Sequence, residues 1–212
     1  MNARTGQNPD RDGPGFDDLV ARIRACRLCA DRFAATATGH EPAPVVWFRP
    51  GARLLIVGQA PGLRVHRSGK PFTDPSGDRL RHWLELDEDT FYDLDRVAIV
   101  PMAFCFPGYD RRGSDLPPPP DCARAHRHDV MAALGDVPLT VLVGAHAQRW
   151  HLGKDARGGV TETVRRWRDH APRLFPLPHP SWRNTAWLKR NPWFEAELLP
   201  VLRRRVKEVL RS

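Results

Sequence analysis

A short, wholly apolar segment that runs into a glycine-rich turn is the feature that most constrains this fold. Residues 54–57 read Leu-Leu-Ile-Val, and residues 58–62 read Gly-Gln-Ala-Pro-Gly. An uninterrupted apolar run predicts a strand covered on both faces, as in the parallel sheet of an α/β domain. Ligands of such sheets bind outside the carboxyl ends of the strands, so a binding site is expected at the turn. Taken alone, the turn could equally be an ordinary β-turn.

Further apolar segments predict three more strands, at residues 97–100, 139–144 and 173–178. Residues 63–74 are expected to form a long loop, and Cys26 and Cys29 to extend the apolar face of the first helix. Pro200 is expected to kink or interrupt the last helix. Strands that alternate with helices predict a mostly parallel, four-stranded sheet with helices on both faces. The helices are predicted from about residue 15, over 75–86, over 121–134, from 144 through 150, over 160–170 and over 192–210.

The chain length and charge limit the possible classes of protein. A chain of 212 residues predicts one domain, residues 16–212, preceded by a disordered lead of residues 1–15. Neither a signal peptide nor a segment of membrane-spanning length is evident, so we expect a cytoplasmic protein, a monomer without a membrane partner. The formal net charge of +8 favours a polyanionic partner, first of all nucleic acid. General solubility charge is the competing explanation.

Four cysteines form two pairs, Cys26 with Cys29 and Cys105 with Cys122. Disulfides are not expected in a cytoplasmic protein. The first pair has the Cys-x2-Cys spacing that places two thiolates on one metal, and the second pair flanks a proline-rich segment that could complete a tetrahedral set. Zinc and a [4Fe–4S] cluster both accept four thiolates, and the spacing does not separate them. Unpaired buried cysteines remain the alternative.

The motifs occur together in an order that resembles one enzyme family. Residues 26–29 (Cys-Arg-Leu-Cys), 58–62, 69–72 (Gly-Lys-Pro-Phe), the proline-rich loop 105–122 and residues 179–181 (His-Pro-Ser) follow one another in register. The chain resembles the iron–sulfur branch, often called family 4, of the uracil-DNA glycosylase superfamily. The resemblance implies a three-layer α/β/α sandwich with a short central sheet. It also implies a [4Fe–4S] cluster on the four cysteines, with zinc as the alternative.

The resemblance also implies roles for individual residues. His179 matches the histidine that stabilises negative charge on the departing base, and Gln59 matches the position near the sugar and its attacking water. Phe72 matches an aromatic residue that stacks on the extruded base, although it could equally be a core residue. The remaining residues expected to line the base pocket are Gly58, Ala60, Pro61, Gly62, Pro101 and Ser181.

Basic and aromatic residues in two loops are expected to contact DNA. In the family, the loop after His-Pro-Ser enters the minor groove, where a bulky aromatic residue and a cation suit wedge and phosphate roles. Both loops follow strands, so their cations should gather at one end of the sheet. The candidate DNA-binding residues are Arg64, Arg67, Lys70, Trp182, Arg183 and Asn184.

Two positions depart from the family pattern. The family usually has an asparagine, which reads the edge of uracil, where this chain has Pro101. His66 occupies a position that is acidic in the family, and it could act as a base, hold a water or contact phosphate.

Taken together, the motifs lead us to expect a monofunctional DNA glycosylase of base excision repair, acting on uracil or another damaged base. The alternatives are a catalytically altered iron–sulfur protein that binds nucleic acid and a hydrolase of free nucleosides or nucleotides.

Overall fold

The computed structural model describes residues 15–211. The predicted disordered lead lies outside the described residues, apart from Gly15, which forms the turn before the first helix. Ser212, the last residue of the predicted domain, also lies outside them. None of the helices between residues 15 and 211 is long and apolar enough to cross a membrane.

The described chain alternates helices with short strands. Single turns of 3-10 helix lie at Gly153–Ala156, Trp167–Asp169 and Trp182–Asn184, and a π-helical turn at Phe194–Leu198. The regular elements are α1 (Phe16–Arg24), α2 (Ala30–Ala34), β1 (Leu54–Val57), α3 (Leu63–Ser68), α4 (Pro75–Leu84), α5 (Glu88–Tyr92), β2 (Val97–Ile99), α6 (Pro120–Leu134), β3 (Leu139–Val143), α7 (Ala145–Leu152), α8 (Gly159–Arg165), β4 (Leu174–Leu177), α9 (Thr185–Arg190) and α10 (Leu199–Arg211).

The four strands form one sheet in the order β2-β1-β3-β4, and every neighbouring pair is parallel. Leu54 lies opposite Val97 on one side and Leu139 on the other. The wholly apolar sequence of β1 is explained by this central position, because both of its faces are covered.

Alternate residues of β1 face two separate cores. Leu54 and Ile56 pack with residues of α4 and α10, whereas Leu55 and Val57 pack with residues of α1, α6 and α7. All four β1 side chains are fully buried. The predicted three-layer α/β/α fold is therefore confirmed.

The long loop predicted over residues 63–74 is wrong in its first half, because residues 63–68 form α3. This helix buries one apolar residue, Val65, and Gly69 ends it in a left-handed conformation with φ of 69°. A helix that buries a single side chain gives no repeating apolar pattern to detect.

Other boundaries also differ from the predictions. The first helix ends at Arg24, so Cys26 and Cys29 lie in the turn between α1 and α2 and do not extend the face of α1. The last predicted helix is interrupted next to Pro200, as expected: a π-helical turn over Phe194–Leu198 passes into α10 at Leu199. The helix predicted over residues 160–170 divides into α8 and a 3-10 turn, and the short helices α2, α5 and α9 were not predicted.

Candidate active site

A cavity of about 490 Å³ opens at the carboxyl ends of β1, β2 and β4. It is lined by the turn after β1 and by the segments that directly follow β2 and β4. Parts of the chain between β1 and β2 and between β2 and β3 also line it. The predicted site residues that line it are Gly58, Gln59, Ala60, Pro61, Gly62, Phe72, Pro101, His179, Ser181, Trp182, Arg183 and Asn184.

His179 follows β4 and is held by its own loop. Its Nδ1 atom accepts a hydrogen bond from the backbone N–H of Ser181 at 3.2 Å, and the Asn184 side chain donates to its carbonyl at 2.7 Å. Burial lowers the pKa of His179, outweighing the opposite effects of Asp74 and Asp115. A neutral imidazole whose Nδ1 accepts a hydrogen bond carries its proton on Nε2. His179 is therefore arranged to donate a hydrogen bond from Nε2.

Gln59 is fixed by its backbone. The N–H groups of Met102 and Ala103 donate to the carbonyls of Gly58 and Gln59, at 2.9 Å and 3.2 Å. These bonds extend the pairing of β1 and β2 beyond the strands. The Gln59 side chain consequently lines the cavity from a rigid turn.

Phe72 fits both interpretations of its sequence position, as a stacking residue and as a core residue. It lines the cavity and also packs on the core. Its ring lies edge-on to Phe91, with centroids 6.1 Å apart, and against Gly58, where an added Cβ would lie 3.5 Å from the ring. Its backbone is left-handed, with φ of 54°. Such a conformation costs a bulky residue about 1–3 kcal/mol and persists only where surrounding contacts impose it.

Pro101 forms the cavity wall that follows β2. Its carbonyl accepts a hydrogen bond from Arg127 of α6 at 3.0 Å, and Arg127 also donates to the carbonyl of Val100 at 3.1 Å. The guanidinium group is buried, and its Nη2 atom lies 2.7 Å from Nε2 of His151. Arg127 was not among the predicted site residues, because no local pattern marks a helical arginine as buried.

The structure does not bring His66 into the cavity lining. Its ring packs against His40 and Phe106, with centroids 5.1 Å and 5.9 Å away. Burial lowers its pKa, and His40 and Arg67 lower it further. The structure therefore places His66 against the segment that follows Cys105.

The basic residues of the same loop also lie outside the lining. Arg64 and Arg67 are exposed on α3. Lys70 pairs with Glu88 at 2.9 Å and lies 3.8 Å from the centre of the Tyr92 ring. None of these three cations lines the cavity.

Two carboxylates in the lining, Asp74 and Asp115, were missed by the sequence analysis. Asp74 caps α4 by accepting a hydrogen bond from the Gly77 N–H at 3.3 Å. An aspartate directly before the proline of a predicted helix is a recognisable cap signal, and it follows the Phe72 motif. Asp115 belongs to the proline-rich loop, where no sequence signal marks it.

The loop that follows His179 presents an aromatic side chain to solvent. Trp182 is 75% exposed and lines the mouth of the cavity together with Arg183. Arg79 of α4 holds this loop by donating to the carbonyl of Ser181 at 2.9 Å and to the hydroxyl of Thr185 at 3.4 Å. The exposed ring is therefore carried on a braced loop.

All four cysteines line one second, small cavity of about 20 Å³. Burial, followed by the neighbouring cysteines, raises the pKa of Cys105 to about 12, and burial raises that of Cys122 to about 11. The Phe104 N–H donates to Sγ of Cys122 at 3.4 Å. No group of three or more His, Cys, Asp or Glu side chains within residues 15–211 is arranged to hold a metal ion.

An α/β/α fold with a histidine, an amide and an aromatic residue around one cavity at the sheet's carboxyl edge is suited to binding and hydrolysing a base-containing substrate. Residues 46–203 match the family model of the uracil DNA glycosylase superfamily, so the chain belongs to this superfamily. Membership indicates a DNA glycosylase-like function with DNA as the partner. The matched span contains the whole sheet and the cavity-lining residues from Trp47 to Asn184, but not Val45.

Proposed function

We propose that the protein is a monofunctional DNA glycosylase, acting as a cytoplasmic monomer, that hydrolyses the N-glycosidic bond of uracil or another damaged base. One observation carries the proposal: His179, with Nδ1 occupied by the Ser181 N–H, shares a cavity with Gln59, Asp74 and Phe72. That cavity combines a donor for the leaving base, acceptors for a water and an aromatic face for stacking.

His179 stabilises the departing base. Cleavage of the N-glycosidic bond leaves negative charge on a base oxygen, and Nε2 of a neutral imidazole can donate a hydrogen bond to it. The lowered pKa of His179 favours this neutral form. Removing one such donor typically slows a reaction about 100- to 1,000-fold.

Gln59 and Asp74 orient the attacking water. The sugar develops positive charge as the base leaves, and a water held by the Gln59 amide oxygen or the Asp74 carboxylate is positioned to attack it. Asp74 replaces His66 in this proposal, since His66 does not line the cavity.

Extrusion of the base depends on the surrounding loops. A base must leave the duplex to reach a cavity at the sheet edge, and Phe72 offers a face on which it can stack. Trp182, exposed beside Arg183, is suited to fill the gap left in the duplex.

We further propose that Cys26, Cys29, Cys105 and Cys122 hold a [4Fe–4S] cluster, as in the iron–sulfur branch. The support is that the four thiols line one cavity and that four thiolates are the ligand set such a group takes, with zinc as the alternative. When bound, the cluster supplies four iron–thiolate bonds that join the turn between α1 and α2 to the proline-rich loop.

The cofactor proposal is tested by chemical analysis of anaerobically purified protein. Iron and sulfide are expected in equal amounts, and both should be lost in the Cys105→Ser variant. A colourless protein that contains stoichiometric zinc would show that the iron–sulfur proposal is wrong.

A second candidate function is DNA binding without base excision. It is favoured by Pro101, which offers no side-chain donor or acceptor where the family usually has an asparagine. Such a protein would bind DNA in a salt-sensitive way, because its cations neutralise phosphates.

One assay separates the two functions. Single- and double-stranded oligonucleotides carrying uracil, hypoxanthine, xanthine or oxidised pyrimidines are incubated with the protein and then heated in alkali to cleave abasic sites. We expect wild-type protein and the His128→Ala control, whose side chain is 95% exposed, to act alike. His179→Ala should lose about 100- to 1,000-fold in rate. Full activity in His179→Ala would refute the catalytic assignment, and no cleavage of any substrate would favour the binding function.

A further inference from the structure

The backbone of Phe72 is held in a strained conformation that its own sequence does not explain. Within residues 15–211, the other non-glycine residue with positive φ is Glu85, with φ of 56°. Glu85 ends α4, where a left-handed residue is common. Phe72 ends no helix, so its conformation must be imposed by contacts with other parts of the chain.

The contacts that impose the left-handed conformation of Phe72 converge on its carbonyl group. The single O–H of Tyr92, at the end of α5, is shared between the carbonyls of Pro71 and Phe72, at 2.8 Å and 3.1 Å. Arg81 of α4 donates to the Phe72 carbonyl and to the Tyr92 hydroxyl, each at 3.3 Å. Burial raises the pKa of Tyr92, which keeps the hydroxyl protonated and able to donate.

A glycine makes room for this arrangement. A Cβ at Gly77 would lie 1.8 Å from the Phe72 carbonyl oxygen, so the first turn of α4 and the Phe72 backbone are in direct contact. The ring is directed by the same fixed backbone towards Gly58 and the cavity. Neither Tyr92 nor Arg81 is among the residues that line the cavity.

We propose that Tyr92 is a positioning residue: its hydroxyl holds Phe72 in the left-handed conformation, so that the ring is already placed to stack on an extruded base. This inference rests on the proposed glycosylase function, in which Phe72 is the stacking residue. A ring fixed before binding loses little conformational freedom when the base arrives.

The Tyr92→Phe variant tests the proposal because it removes only the hydroxyl. The ring can keep its edge contacts with Phe91 and Trp47, at centroid distances of 5.1 Å and 5.6 Å. Tyr109→Phe is the matched control, because Tyr109 is the other tyrosine of the chain and packs on Phe106 away from Phe72.

The first measurement does not depend on activity. In protein labelled with ¹³C-phenylalanine, the Phe72 signals are assigned by their loss in Phe72→Leu. We expect Tyr92→Phe to shift the Phe72 Cα and Cβ signals away from left-handed values and Tyr109→Phe to leave them unchanged. Unchanged Phe72 signals in Tyr92→Phe would overturn the proposal.

The second measurement compares two DNA ligands, one with a hydrolysis-resistant 2′-fluorodeoxyuridine and one with an abasic analogue at the same position. Tyr92→Phe should weaken binding of the first about 5- to 10-fold, the effect of one lost hydrogen bond, and leave the second within about twofold. Adding Tyr92→Phe to Phe72→Leu should cause no further loss. Equal weakening on both ligands would mean a merely structural role and overturn the proposal.

The result for wild-type protein shows whether the proposed stacking on the base or only the role of Tyr92 has failed. If wild-type protein bound both ligands equally, stacking on uracil would be excluded and this inference would fail, whereas the excision assay on the other damaged bases decides the proposed function. If wild-type protein preferred the fluorinated ligand and Tyr92→Phe did so equally, the inference alone would fail.

Discussion

The cavity has two neighbouring walls, built at the ends of β1 and β2, and they are held in different ways. The first wall, the turn of residues 58–62, accepts backbone hydrogen bonds at Gly58 and Gln59 and is covered by Phe72, whose ring lies against Gly58. The second wall, residues 100–103, is fixed by Arg127, a buried guanidinium from α6. The first wall is therefore held by backbone hydrogen bonds from Met102 and Ala103, whereas the second also depends on one buried side chain, that of Arg127.

The two walls also differ in the side-chain groups that they can offer to a substrate. The first wall offers the Gln59 side chain to a substrate, whereas Pro101 offers only an apolar ring on the second. The carbonyl of Pro101 is already engaged by Arg127. A base bound in the cavity, as proposed, must consequently be recognised by groups outside the second wall.

The largest expected effect is on the second wall, from Arg127→Met. This change leaves the carbonyls of Val100 and Pro101 and the imidazole of His151 without a donor in a buried place. An unsatisfied buried group costs about 1–3 kcal/mol, so we expect the free energy of unfolding to fall by about 4 kcal/mol in urea titrations.

Arg124→Met is the control for this prediction. Arg124 lies on the same helix but is exposed, and it pairs with Asp121 across one turn at 3.1 Å. Its loss should cost less than about 1 kcal/mol. Similar losses in the two variants would mean that Arg127 does not fix the second wall.

The second-largest expected effect is a dependence of the free energy of unfolding on pH, through His151 beside the second wall. Burial, followed by the charge of Arg127, lowers the pKa of His151 to about 4. The unfolded chain, in which histidine has a pKa near 6.5, binds the proton more readily. The stabilising contribution of neutral His151 is therefore complete above about pH 6.5 and is lost as the pH falls through 4, by about 3 kcal/mol in total.

His151→Gln isolates this contribution, because a glutamine oxygen can accept from Arg127 but does not titrate. The free energy of unfolding of wild-type protein should fall more steeply between about pH 6.5 and pH 4 than that of the variant. Parallel pH profiles would exclude His151 as the titrating group.

The contrast between the walls also explains how much the sequence could predict. The apolar run of β1 and the glycines after it indicate a buried strand and a binding turn, and the His-Pro-Ser motif locates His179 after β4. These signals are local, and the structure brings both segments to one cavity. Asp74 could have been recognised as a helix cap, although its place in the lining could not.

The features that were missed depend on contacts between distant segments. Arg127 lies on a helix between two exposed basic-type residues, Arg124 and His128, and only the packing of α6 on the sheet buries its guanidinium. The left-handed backbone of Phe72 likewise requires Tyr92 and Gly77, which no sequence period connects to it. His66 was placed in the site by motif position, but the formation of α3 turns it towards His40 and Phe106.

The smallest expected effect, from Pro101→Asn, would make the second wall resemble that of the family. The side-chain amide adds one donor and one acceptor where Pro101 has neither, and uracil presents both on its pairing edge. One net hydrogen bond is worth about 1 kcal/mol, so the ratio of uracil excision by the variant to that by wild-type protein should be about fivefold. Pro107→Asn is the control, because Pro107 lines the same cavity from the proline-rich loop. An equal rise in both variants would indicate a general gain in polarity, whereas unchanged excision by Pro101→Asn would show that the end of β2 does not select the base.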